Sequence, residues 1–283
     1  MLRTVIVSLF LAVALGQAQP LPAASPSAAP GEPMPTAVGS TPAAGSAAPI
    51  EVAAGPLQRL LDQVDAAWRL RDQPDGLRAG EAALDEAARL EPGAYAVLWR
   101  QARLLVWQAE DPAITDEVKS RLGKRAWDLA EQAAALNPGG VEGWFYAAAG
   151  MGNYSLGIGI LSALTQGIEG KFKDRLGRAE KVDAGFLAGG VPVAWGRFWF
   201  KLPWPKHDAR RSRAALAAAL AQNADNVRAH VYLGDLEADE GHKQEARAAW
   251  QAALDAVPER YDGPEGRRWQ AEARGSLARL EKR

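Results

Sequence analysis

The sequence predicts an all-α protein built as an array of paired helices, and three observations carry that prediction. From Leu57 onward apolar residues recur at helical spacing, and no convincing apolar/polar alternation of a strand appears. Ala-rich stretches with charged outer faces recur at 81–90, 125–136, 211–221 and 246–257, each followed by Pro92, Asn137-Pro138, Asn223 or Pro258. Such residues cannot continue a helix or favour a cap or turn. The totals also remove competing classes. With 33 Lys+Arg against 34 Asp+Glu there is no bulk charge to draw the chain onto nucleic acid, and zero Cys excludes disulfides, thiolate metal sites and a Cys nucleophile.

Taken in chain order, residues 1–18 read as a secretory signal. Arg3 supplies a short positive region, 4–15 is an apolar run, and Gly16-Gln17-Ala18 gives the small-x-small cleavage pattern. The run is shorter than the roughly 20 residues a membrane span needs, so no integral span is expected after cleavage. The expected location is periplasmic or secreted, with an uncleaved N-terminal membrane anchor as the alternative. Residues 19–56 hold Pro20, Pro22, Pro26, Pro30, Pro33, Pro35, Pro42, Pro49 and Pro56 among Ala, Ser, Gly and Thr. That composition has too little apolar mass to offset its backbone entropy and predicts a disordered linker.

The remainder, 57–283, is expected to be one helical-repeat domain of about five helix pairs, at about 57–91, 93–137, 140–184, 190–223 and 226–258. A polar C-terminal capping helix over 264–282 would close it. The clearest unit is 227–258, where Leu233-Gly234, Gly241, Ala246, Trp250, Ala253 and Pro258 stand at fixed spacing. Gly234 and Ala246 let two antiparallel helices approach, Gly241 turns the chain, Trp250 and Ala253 fill the contact, and Pro258 ends the unit. This segment resembles a tetratricopeptide repeat, which implies an α-α superhelix, or solenoid. Weaker copies lie at 80–92 and 125–138. The 46 residues from Pro92 to Pro138 exceed the usual repeat of about 34, and the excess is expected near 111–117 as an enlarged turn.

Two features of the middle are unusual. Residues 143–168 contain no charge but six glycines, which points to one long buried helix with a small-residue stripe at Ser155, Gly159, Ala163 and Gly167. Residues 191–205 concentrate Trp195, Phe198, Trp199, Leu202 and Trp204. An aromatic stripe at helical spacing is ordinarily core, and an apolar groove is the functional alternative. The candidate ligand or partner groove is therefore Tyr154, Ile158, Leu161, Trp195, Phe198, Trp199 and Trp204.

Gly170–Phe172, Leu176, Ala179, Gly189-Gly190, Gly196-Arg197-Phe198 and Lys201-Leu202-Pro203 carry a second resemblance. In these the chain is similar to the T-component of tripartite ATP-independent periplasmic (TRAP) transporters, over roughly 126–258. The resemblance implies a periplasmic helical-repeat protein that assists transport or binds an apolar ligand. Those T-components are lipoproteins, and the Cys that would carry the lipid has no counterpart here.

Catalytic chemistry is not predicted. Gly150-Met151-Gly152 and Gly157-Ile158-Gly159 neither complete a phosphate-binding fingerprint nor follow a strand. His207, His230 and His242 are the only histidines, so no metal site is expected, nor any cofactor. The sequence points to an exported, non-enzymatic helical-repeat scaffold binding a protein or peptide in its concave groove. The alternative is a periplasmic transporter accessory, T-component-like, binding a small apolar ligand as part of a membrane transport complex. The oligomeric state is left open.

Overall fold

The computed structural model describes residues 55–282, and the signal and linker expectations lie outside them. Twelve α-helices are present among the described residues: α1 Pro56–Trp68, α2 Pro74–Leu90, α3 Tyr95–Ala109, α4 Asp116–Leu136, α5 Val141–Ile158, α6 Ile160–Thr165, α7 Ile168–Val182, α8 Phe186–Lys201, α9 Ala209–Gln222, α10 Val227–Asp239, α11 Lys243–Asp255 and α12 Gly263–Glu281. They pack as α1/α2, α3/α4, α5/α7, α8/α9 and α10/α11, with α12 laid against α10 and α11. The all-α superhelix of five pairs plus a cap is what the periodicity predicts.

Polar caps start several helices. Thr115, Asp208, Asn226 and Asp262 each accept an amide N–H from the first turn of α4, α9, α10 and α12, which satisfies donors that a helix start leaves unpaired. In the last repeat the expected contacts all form. A Cβ at Gly234 would lie 2.4 Å from Trp250 Nε1, and Gly241 turns the chain at φ 83°. Ala246 and Ala253 are fully buried.

The tightest seam joins α4 to α5. Gly143, Gly150 and Gly157 are spaced by seven residues, two helical turns, and so share one face of α5. A Cβ on them would come within 2.5–2.6 Å of the backbone at Ala134, Trp127 and Asp116. From the other side Gly123 meets the backbone of Tyr154 in the same way, and Ala126, Ala130 and Ala134 are buried between.

Two expectations are corrected here. The uncharged stretch is not one helix: Gly159 (φ 85°) ends α5, and Gly167 (φ 68°) separates the short α6 from α7. Gly159 and Gly167 therefore serve as breaks, and the packing stripe is Gly143, Gly150 and Gly157 rather than Ser155, Gly159, Ala163 and Gly167. The long second repeat has a 110–115 turn, but most of its excess lies in α4, which runs for 21 residues. No helix among the described residues is long and apolar enough to cross a membrane.

Candidate functional site

The first helix of each pair faces inward, and their inner faces surround a cavity of about 330 Å³. Helix α5 contributes Phe145, Tyr146, Ala149, Gly152, Asn153 and Leu156, a set recurring at three and four residues. On α8 the corresponding face is Gly190, Val193, Ala194, Arg197, Phe198 and Lys201. The short α6 lies across the same space through Ile160, Ala163 and Leu164, and Ile168 and Phe172 of α7 extend that apolar side.

The start of α8 is held in an unusual backbone. Leu187, Ala188 and Gly189 are all left-handed, at φ 54°, 49° and 98°. Left-handed backbone is unfavourable for the first two, which carry a Cβ. The fully buried Asn226 supports this turn, its Nδ2 donating to the Ala188 carbonyl while its Oδ1 accepts from Ala229 N–H. The turn sets Leu187 and Ala188 into the cavity wall.

The opposite side is charged, and its arginines are paired with carboxylates in or behind the wall. Arg103 pairs with Asp65 at 2.8 Å, Arg197 with Asp235 at 2.9 Å, and Arg228 with both Glu110 (2.6 Å) and Glu265 (2.8 Å). Burial opposes the charge on Arg228, yet Glu110 and Glu265 outweigh it and push its pKa well up. Burial, followed by the nearby Arg197, lowers the pKa of Lys201. Tyr146 is buried beside these groups, and its burial raises the phenol so that it stays protonated.

The same charged side joins the two ends of the array. Arg71, 3% exposed, donates to Asp262 at 2.6 Å across 191 residues of sequence. Its guanidinium sits 4.1 Å from the Trp68 ring and 4.5 Å from the Trp107 ring. Arg267 pairs with Asp72 at 2.7 Å, and Arg268 lies 3.2 Å from the Trp107 ring while donating to the Trp107 carbonyl. The α12 end thereby meets the turn after α1 and helix α3, and these contacts bridge the concave groove beside the cavity.

Of the seven residues chosen from sequence, only Phe198 lines the cavity. Tyr154 packs on Trp127 with its hydroxyl on Gln166, and Ile158 is half-buried in the central core. Leu161 is 69% exposed on the outer side of α6, and Trp204 is 88% exposed after α8. Trp195 and Trp199 stack on each other and, with Phe198 and Phe172, fill the contact between α7 and α8; Arg211 also lies on Trp199. These aromatics pack the α7–α8 contact, and the cavity is lined instead by Tyr146, Arg103, Arg197 and Arg228, which the sequence reading did not single out. The signal available for them was the recurrence of Arg inside otherwise apolar inner helices.

No family model and no curated protein matches the chain. Among solved structures it is similar to a thermophilic TPR protein of Thermus thermophilus, with a TM-score of 0.58 and 18% identity, covering 77% of this chain and 98% of that one. The likeness concerns the fold: this chain has a TPR-like, all-α helical-repeat architecture.

Proposed function

We propose that the protein is a non-enzymatic scaffold that docks a protein partner by taking a short apolar segment of it into the central cavity. The observation that carries this reading is the cavity itself, with apolar residues of α5, α6, α7 and α8 on one side, paired arginines on the other and the α12 contacts beside it. The α12 contacts bridge the groove, so the inserted part is short, and apolar side chains suit the α5–α8 side of the cavity. Helical-repeat arrays recognise partners through such concave surfaces. The signal-like 1–18 and Pro-rich 19–56 support export, which makes the partner a periplasmic or secreted protein.

A second reading, a transporter accessory holding a small apolar ligand, is favoured by one observation. The cavity volume of about 330 Å³ falls at the lower end of the range of small-molecule sites. A photo-crosslinking residue at Leu164, used in intact cells, separates the two. An adduct mapping to a short apolar stretch of one protein, and lost when Ala194→Trp fills the cavity, is the expected result. An adduct of small-molecule mass selects the second reading. An adduct indifferent to Ala194→Trp overturns both, and recovery of mature chain from the cytoplasm overturns export.

A further inference from the structure

Outside the cavity, the loop from α8 to α9 and the C-terminal end of α10 bring three ligand-capable side chains together. Donor atoms of His207, Asp239 and Glu240 all lie within 4.8 Å of one another. They come from segments more than thirty residues apart, and sequence inspection gives no metal-ligand spacing.

The imidazole is oriented for ligation. Its Nδ1 lies 2.9 Å from the Phe200 carbonyl oxygen. A carbonyl can only accept, so Nδ1 carries a proton, and in the tautomer this selects the lone pair lies at Nε2. That Nε2 is shielded from solvent and has no hydrogen-bond partner, and its nearest carboxylate oxygen, on Glu240, is 3.6 Å away. A backbone carbonyl on one ring nitrogen with the other left open is the arrangement that fixes metal-ligating histidines. The Phe200 ring stands edge-on to the imidazole at 6.0 Å and limits its rotation.

We infer that His207, Asp239 and Glu240 form a binding site for a divalent first-row transition ion, with water completing the shell. One imidazole nitrogen and two carboxylate oxygens suit Zn²⁺ or its neighbours; Ca²⁺ and Mg²⁺ prefer oxygen donors alone. Metal–donor bonds of about 2.1 Å need the three donors to draw together by roughly an ångström, and the two carboxylates, exposed at the helix end, are free to move. The negative end of the α10 dipole adds to the attraction. Two cations oppose it, Lys201 acting on Asp239 and Arg213 acting on Glu240, and Arg213 is itself engaged by Glu237 at 2.6 Å.

Zn²⁺ titrated by calorimetry into the tag-free full chain, after dialysis against a chelator, tests the assignment at pH 7. One saturable site is expected, with a rise in Tm that EDTA reverses. His207→Gln and Glu240→Gln should each weaken binding by roughly tenfold or more, whereas His230→Gln and His242→Gln leave it unchanged. Circular dichroism separates lost binding from lost fold, and if His207→Gln does not fold, Glu240→Gln carries the comparison alone. Absence of saturable binding, retention of full affinity in His207→Gln or Glu240→Gln, or loss of binding in His242→Gln would overturn it.

Discussion

Two contacts hold the array, and they are built from opposite materials. The seam between α4 and α5 is glycine and alanine against backbone, with no room for one added carbon at Gly143, Gly150 or Gly157. The closure between α12 and the α1–α3 end is arginine, tryptophan and carboxylate, with Asp262 and Asp72 still partly in water. Close packing has a single arrangement and is costly to disturb. Partly solvated ion pairs can exchange their partners for water at modest cost. The seam is therefore the fixed part of the molecule and the closure the part that can open toward the cavity.

The sharpest way to break the contrast is at the seam. Gly150→Val places its Cβ 2.5 Å from the Trp127 backbone nitrogen. With backbone as the obstacle the cost should be about 3 kcal/mol, seen as a large drop in the urea midpoint. A near-neutral Gly150→Val would show that the seam yields and would remove the distinction.

Arg71→Met tests the other side. It keeps much of the stem between Trp68 and Trp107 but removes the charge that holds Asp262. A loss of about 2 kcal/mol is expected, together with faster amide exchange in α12 and unchanged protection in α4 and α5. Equal loss of protection in both regions would mean that they are not separable.

Gly159→Ala asks whether α6 belongs to the rigid or the adjustable part. Nothing lies within 4 Å of the added Cβ, so the effect comes only from the φ of 85° and should be about 1 kcal/mol. Exchange in α6 should rise while the seam stays protected.

Acid gives the smallest and most selective perturbation. The hydrogen bond from Arg267 holds the Asp72 carboxyl below its usual 3.8. A depressed carboxylate contributes stability that is present above 3.8 and is lost as pH falls through the lower folded value. Intrinsic-rate-corrected protection in α12 should fall between pH 4 and pH 3, and the uncharged glycine faces of the seam should show no matching step. A matching loss at the seam would mean that acid acts on the whole fold.

How much of this was legible in the sequence depends on what each residue had to reveal. Helix pairing was readable because Pro, Gly and Asn stops are local, and the 227–258 unit showed its packing through Gly234, Ala246 and Trp250. The break at Gly159 was not, since a glycine in an apolar run can equally be a packing face or a hinge; the seven-residue spacing of Gly143, Gly150 and Gly157 was the better clue. Of the seven groove candidates chosen from the sequence, only Phe198 lines the cavity. Trp195 and Trp199 lie about 100° around the helix from Ala194 and Phe198, so choosing the bulkiest residues selected the face against α7. The Arg71–Asp262 contact and the His207 cluster depend on distant segments meeting, which no local pattern encodes.

The α12 closure also bears on how the molecule comes apart. An open repeat array has two free ends, each stabilised by a single neighbour, and it can fray from either one unit at a time. Here the α12 end is bonded to the α1–α2 turn and to α3, so among the described residues both terminal units have neighbours on two sides. Peeling α1/α2 away must also break Arg71 from Asp262 and Arg267 from Asp72. The consequence is cooperativity: a chain built of repeats should melt in one all-or-none transition, and Arg71→Met should turn that transition into a sequential one.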